Sequence, residues 1–426
     1  MRVYTGLLYL LLPLVLLRLL WRSLRAPAYR ERLGERFGLF EGAPLPGGIW
    51  IHAVSVGEVQ AIEPLVRHLQ KRHPELTITL TTSTPTGSER ARVLFGRDLF
   101  HVYFPYDLPW CLKRFLRRVQ PCMLVMVETE IWPNLLQQCE EQGIITLLAN
   151  GRLSERSARG YARLGGFSRR VFGRIRAVAA QSPADAERFV QLGVRRERVQ
   201  VTGSIKFDMR IPASVQEQAQ VVKRLLGEDR PVWIAASTHE GEEEQVLAAH
   251  ARILEKIPSA LLLLVPRHPE RFERVAALLQ RQGYRFVRRS MLVPCEPHTQ
   301  VFLVDTMGEL PLFLGVADAA FIGGSLVETG GHNMLEAAAQ GVPVVFGPHV
   351  FNFTAIASLL RNKGAAVQVR DSNELAKVVS AWLGDASERS RIGENGRRAV
   401  EGNRGALERL VEIVEELLRQ PLIPSR

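Results

Sequence analysis

Cysteine is scarce, with four residues in 426 (Cys111, Cys122, Cys139 and Cys295), irregularly spaced and with no C-x-x-C pair. That excludes a zinc ribbon and a paired redox centre, and leaves buried free thiols in a reducing compartment as the expectation. No D-x-D occurs, and no His/Asp/Glu grouping has firm metal-ligand spacing. A divalent metal bridging a diphosphate therefore has no evident ligand set. Internal repeats and low-complexity tracts are also missing. Acidic charge is in the minority, 44 Asp and Glu against 55 Lys and Arg, for a net charge of +11. Such a balance favours phosphate-rich partners: nucleic acid, an anionic membrane surface or a phosphorylated lipid.

Long apolar runs are confined to one place, YTGLLYLLLPLVLLRLLW from Tyr4 to Trp21. A full span needs about 20 apolar residues, and Pro13 and Arg18 weaken this one. Arg22, Arg25, Arg30, Arg32 and Arg36 come soon after, with no small-x-small cleavage site, so a removed signal peptide fits poorly. The expectation is an uncleaved anchor over 1–21, spanning or lying in the interface, with an amphipathic first core helix as the alternative. The arginines would keep the downstream domain on the cytoplasmic side.

After residue 21, short apolar runs alternate with helical patterns, the mark of parallel sheets covered by helices. One series has strands near Ile49–Val54, Thr77–Thr81, His101–Phe104, Met123–Val127, Ile145–Ala149, Ala177–Ala180 and Val199–Val201. A second runs through Val232–Ala235, Leu261–Val265, Val301–Val304, Ala319–Ile322 and Val342–Phe346. Lys206–Val215 between them reads as a linker. The expected fold class is α/β, with two Rossmann-like domains facing a cleft, over 22–208 and 209–426. A helix over Gly405–Gln420 could pack on either domain.

Five segments carry candidate chemistry. In ADAAFIGGSLVETGGHNMLEAAAQGVPVVFGP, two glycine pairs precede an expected helix from Asn333 to Gln340, and such a turn presents amides to an anion. Glu336 within it could accept hydrogen bonds from a ribose diol. The E-x-x-x-x-G-x-P pattern beginning at Glu336 resembles the second domain of nucleotide-dependent GT-B glycosyltransferases, and a purely structural glycine turn is the alternative. IWIHAVSVGEV places Glu58 at a strand-to-helix turn, where it could be a general base or merely favour the helix dipole. MLVMVETEIWPN puts Glu128 and Glu130 on one face by the period of two. LLLLVPRHPERF sets Pro266 and Arg267 after a buried strand, Arg267 reading equally as a surface residue, and DTMGELP sets Met307, Gly308 and Glu309 in a turn.

Together HAVSVGEV, VETEIWPN, GSIKFD, RHPER, DTMGEL and GGHNMLEAAAQGVPVVFGP resemble the 3-deoxy-D-manno-oct-2-ulosonic acid (Kdo) transferases of lipopolysaccharide assembly. The resemblance implies a GT-B enzyme that needs neither cofactor nor metal. It would move Kdo from CMP-Kdo to the tetraacyl disaccharide lipid A precursor, with inversion, at the cytoplasmic side of the inner membrane. By motif, Glu58 would be the general base, and Glu128 and Lys206 would stabilise the transition state. Pro266, Arg267, Met307, Gly308, Glu309, Asn333, Met334, Leu335 and Glu336 would bind CMP. The run Arg152, Arg156, Arg159, Arg163, Arg169, Arg170, Arg174 and Arg176 is a candidate to meet membrane or lipid phosphates, with a merely solvated basic helix face as the alternative for any single member. Two rivals are a UDP-sugar transferase or epimerase on the same fold and a membrane-tethered nucleic-acid binder. The latter lacks any recognised nucleic-acid module.

Overall fold

Each of the two series of apolar runs forms a seven-stranded parallel sheet in the computed structural model, which describes residues 1–25, 29–209 and 211–420. The side chains of Arg22 and Arg25, and all of Arg210 in the expected linker, lie outside the described residues. In the first unit the strands are β1 Ile49–His52, β2 Ile78–Thr82, β3 Phe100–Tyr103, β4 Met123–Val127, β5 Ile145–Gly151, β6 Ala177–Ala180 and β7 Val199–Val201. Their order is β3-β2-β1-β4-β5-β6-β7. The second unit has β8 Val232–Thr238, β9 Leu261–Pro266, β10 Phe286–Arg288, β11 Val301–Leu303, β12 Ala319–Ile322, β13 Val344–Phe346 and β14 Ala366–Gln368. Their order is β10-β11-β9-β8-β12-β13-β14.

The first order reverses direction between β1 and β4; the second reverses between β8 and β12, with β10 added outside β11 at its edge. A doubly wound sheet binds ligands at that switch point, outside the carboxyl ends of its strands. Central strands read as near-continuous apolar runs because helices cover both faces. In the first sheet Trp50, Leu124, Met126 and Leu148 point to one core. Ile51, Val125, Val127 and Leu147 point to the other. The sequence misses β10 and β14, three-residue edge strands whose residues are mostly half-buried or exposed, so no apolar run marks them.

The chain divides into Met1–Asp208 with Arg404–Arg426, and Met209–Asn403. An expected second domain over 209–426 therefore gives up its last helix, Ala406–Arg419, to the first unit. The reason is packing: Leu410, Ile413, Val414 and Leu417 recur at helical spacing and bury against Ile49, Ile51, Val59 and Ile62. Asp208 fixes the start of this helix by accepting the amides of Gly405 at 2.6 Å and Leu407 at 2.7 Å. The expected linker Lys206–Val215 is likewise ordered at its ends, as a 3-10 turn Ile205–Asp208 and a helix beginning at Ala213.

The apolar N-terminal run forms a helix, Arg2–Arg25, with Pro13 inside it. Its stretch Arg2–Trp21 has a mean hydropathy of 2.0 and none of it is buried, so it is long and apolar enough to cross a membrane.

Candidate active site

At the switch point of the first sheet β1 delivers Glu58 and β4 delivers Glu128. Ser55 caps the helix Val56–Arg72, and Glu58 reaches back from its first turn. The Glu58 carboxylate accepts the Val54 amide at 2.8 Å and the Ser55 hydroxyl at 2.7 Å. The Glu58 amide in turn donates to Ser55 Oγ at 3.4 Å, a variant of the S-x-x-E capping box in which the glutamate takes the amide before the N-cap residue instead of the N-cap residue's own. Burial nonetheless pushes the Glu58 carboxyl up to about 7, against those two hydrogen bonds and with help from the charges of Glu128 and Glu130. A carboxyl poised there can take a proton near neutral pH.

Glu128 does not sit as the period of two expects. β4 ends at Val127, and Glu128 adopts φ +63°, in the left-handed region that L side chains rarely enter. The turn separates its side chain from the strand alternation, so Glu128 and Glu130 share no strand face. Glu128 Oε1 instead accepts a hydrogen bond from Lys206 Nζ at 2.7 Å, in a half-exposed ion pair. The Lys206 turn is held by the Asn150 side-chain oxygen, which accepts the Ile205 amide at 3.2 Å. Glu130 accepts the Trp132 indole N–H at 2.8 Å. His52 Nε2 lies 3.5 Å from Glu130 Oε2 and is a buried nitrogen without a hydrogen-bond partner. At that separation the contact is electrostatic rather than a hydrogen bond. Glu58, Glu128 and Lys206 are thus brought together on one unit.

In the second unit the candidate donor-binding residues come after three strands, β9, β11 and β12, all at the carboxyl edge of one sheet. Arg267 donates its amide to the Thr238 carbonyl at 3.0 Å. Its charge favours the Glu336 carboxylate, which burial otherwise raises and an Asn333 hydrogen bond lowers. Asn333 Nδ2 donates to Glu336 Oε1 at 3.1 Å, and Asn333 Oδ1 accepts the Leu335 amide at 3.1 Å. The helix is shorter than expected, Leu335–Ala339. Met334 and Leu335 are fully buried, and the Leu335 amide is taken by Asn333, so they support the turn from the core. Met307 is 56% exposed, whereas Glu309 is committed to Arg289 at 2.8 Å and to the Thr306 hydroxyl. Among the described residues no hydrogen bond or ion pair links Met307, Gly308 or Glu309 to Arg267, Asn333 or Glu336.

The amides that follow Gly323 in the first glycine pair are already occupied by a protein carboxylate. The amides of Gly324, Ser325 and Leu326 donate to Glu242, at 2.7, 3.0 and 2.9 Å, and the His239 amide does so at 3.2 Å. This fully buried carboxylate supplies the anion itself and fills the switch point between β8 and β12. Gly323 must be glycine here, since a Cβ would sit 2.6 Å from the Ser237 carbonyl and 2.8 Å from Glu242 Oε2. After the second glycine pair, the amides of His332 and Asn333 have no protein acceptor among the described residues.

His332 also belongs to a group that the sequence gives no reason to single out. His239 Nε2 and His332 Nε2 lie 2.7 Å apart, so one ring donates to the other. Burial, then Arg267 and the neighbouring imidazoles, hold His332 down at about 3, and burial lowers His239 as well. Both rings are neutral at physiological pH. The one signal that could have found Glu242 is the acidic run Glu242–Glu244, placed where the first strand of the second sheet meets its helix.

Residues 31–209 match the family 3-deoxy-D-manno-octulosonic-acid transferase (kdotransferase). Residues 229–399 match the glycosyl transferases group 1. The 3-deoxy-D-manno-octulosonic acid transferase of Haemophilus influenzae is 44% identical over 98% of this chain and 98% of its own length. That of Bordetella pertussis is 37% identical over 98% and 99%. Among solved structures, the UDP-GlcNAc 2-epimerase of Neisseria meningitidis superposes with a TM-score of 0.57 at 12% identity, over 87% of this chain and 99% of that one. A glycosyltransferase from Rickettsia africae also gives 0.57 at 12%, over 88% and 100%. At such identity these two structures show the GT-B fold alone. The sequence relationship is of another order, and with it this chain belongs to the 3-deoxy-D-manno-octulosonic acid transferase family of glycosyltransferases.

Proposed function

We propose that this glycosyltransferase moves Kdo from CMP-Kdo to a hydroxyl of the tetraacyl disaccharide lipid A precursor, with inversion and without a metal. The observation that carries the reading is the Glu58 carboxyl, raised to about 7 beside the Glu128–Lys206 pair at the switch point of its sheet. Glu58 takes the proton from the acceptor hydroxyl as the new carbon–oxygen bond forms at the anomeric carbon. The bond from that carbon to the phosphate oxygen breaks, and its electron pair leaves with CMP. The transition state is oxocarbenium-like, and a nearby carboxylate such as Glu128 favours it. Lys206 holds that carboxylate and adds a cation for developing negative charge.

CMP leaves with a single phosphate. Arg267 and the open amides of His332 and Asn333 are suited to that charge, and Glu336 is suited to accept from the ribose hydroxyls. Pro266 and Gly308 would contribute backbone, and the buried Met334 and Leu335 would hold the CMP-binding turn in place. Met307 offers an exposed apolar side chain, and Glu309 would serve by fixing its turn against Arg289. No group of three or more His, Cys, Asp or Glu among the described residues is arranged to hold a metal ion. The N-terminal helix and the net positive charge suit a phosphorylated acceptor embedded in an inner membrane, with the chemistry on its cytoplasmic side.

Incubating the purified protein with CMP-Kdo and the lipid A precursor, then weighing the lipid, tests the reading. The expected product is heavier by whole Kdo units. Thermal protection by UDP-sugars and none by CMP-Kdo would overturn the donor assignment.

A further inference from the structure

The helix Arg2–Arg25 neither packs into a core nor enters the chemistry above. Val3 is 87% exposed, Leu10 74%, and Leu14 and Leu17 61% each, an apolar surface that needs a cover. Its two ends decide what kind. Near the start, the Tyr4 hydroxyl donates to Asp107 Oδ2 at 2.9 Å, and the Thr5 hydroxyl donates to Asn134 Oδ1 at 2.8 Å. The Tyr4 ring lies 5.8 Å from that of Phe167, and Met1 packs against the same core cluster as Phe167 and Tyr161. Asp107 and Asn134 are built into the fold: both are 4% exposed, and Asp107 also accepts the amides of Asn134 and Leu135. Downstream of the helix, Arg32 donates to Ser88 and to the His101 carbonyl, and Glu35 accepts the Tyr103 amide. The start of the helix and the chain from Arg32 onward are thus both tied to one globular unit.

A spanning helix would carry Tyr4 and Thr5 across about 30 Å of hydrocarbon, out of reach of Asp107 and Asn134. The neighbouring helices Glu155–Ala162 and Gly166–Phe172, with the turn between them, expose Arg156, Arg159, Arg163, Arg169 and Arg170. Cationic side chains therefore adjoin the apolar helix where Tyr4 meets Phe167, and they match an anionic headgroup layer. We propose that the helix is an in-plane membrane anchor. It lies along the headgroup boundary of an anionic bilayer with both ends on the side of the globular domains, and the adjoining arginines contact lipid phosphates. The inference rests on the membrane part of the functional reading and not on the sugar chemistry.

Val3, Leu10 and Leu17 are seven residues apart and share a face to within about 20° per step. Cysteine at each, in the full-length protein, is labelled with a fluorophore and read on vesicles of phosphatidylcholine and phosphatidylglycerol, with unsubstituted protein as background. Nitroxide lipids quenching at shallow or deep positions then report depth. An in-plane helix gives one shallow depth at all three sites. A Leu10 site deeper than the others by about 10 Å overturns the proposal. So does the absence of lipid quenching, which would mean that a protein partner or a second copy covers the helix. A protease site placed before Met1, in protein added to sealed vesicles, supplies a second reading. Cleavage without detergent is expected, and protection until detergent is added overturns the proposal. Kdo transfer measured on the same vesicles is independent: its failure would count against the functional reading and leave the depth profile standing.

Discussion

Glu58 shows how one side chain serves both local structure and chemistry. As a capping-box glutamate it would be an ordinary helix-start residue, but burial and two neighbouring carboxylates lift its carboxyl to about 7. If it is the base, Glu58→Gln should lower single-turnover transfer by roughly 10²–10⁴-fold, with CMP affinity by calorimetry nearly unchanged. Wild-type transfer by that variant would move the assignment to Glu128. The pH dependence has a definite sign. A carboxyl with a raised pKa is protonated below it, so kcat/KM should fall as pH drops through about 7. Glu130→Gln removes a negative neighbour that raises Glu58, so the midpoint of this acid limb should move to lower pH, while a purely structural role for Glu130 would leave it in place.

At the scale of elements, two carboxylates anchor backbone rather than substrate. Asp208 holds the start of the helix Ala406–Arg419, and Glu242 holds the loop after β12. Glu242→Ala would leave several buried amides unpaired, each costing about 1–3 kcal/mol. The expected result is a lower unfolding temperature together with weaker CMP binding. Leu410→Ala in the last helix should destabilise the first unit by about 2–5 kcal/mol. Its effect on CMP binding should be small, because the candidate CMP contacts are in the second unit. Calorimetric unfolding with and without CMP reads both variants. Removing residues 1–21 should likewise leave CMP affinity intact and release the protein from vesicles. Asp107 would lose the Tyr4 hydroxyl but keep the amides of Asn134 and Leu135.

Taken whole, the molecule carries a net charge of +11, but its arginines are not one surface. Arg174 pairs with Glu140 at 2.8 Å, and Arg176 donates to Gln420 at 2.7 Å, so those two members of the expected basic run brace the fold. Among the exposed members nearer the apolar helix, Arg159 pairs with Glu155 at 3.4 Å; if these arginines meet anionic lipid as proposed, vesicle association should weaken as salt shortens the Debye length, about 10 Å at 0.1 M. Transfer should survive EDTA, because a monophosphate leaving group can be balanced by Arg267 and backbone amides. Loss of turnover on chelation, restored by magnesium, would make Glu128 and Glu130 ligand candidates instead.

Periodicity and motif spacing alone determined the class of fold, the parallel strands of both sheets apart from two short edges, and the apolar N-terminal helix. Those features rest on local patterning of apolar residues, which a sequence displays directly. Only the tertiary structure decided that the last helix belongs to the first unit, because its apolar stripe is equally compatible with either sheet. The left-handed turn at Glu128 was likewise out of reach, since alternation predicts a face only while the strand continues. The use of Glu242 in place of a ligand anion depends on two loops that are 82 residues apart meeting at a switch point. Hydrogen bonds formed across such separations leave no periodic trace in the chain, and they fix which amides and carboxylates remain free for chemistry.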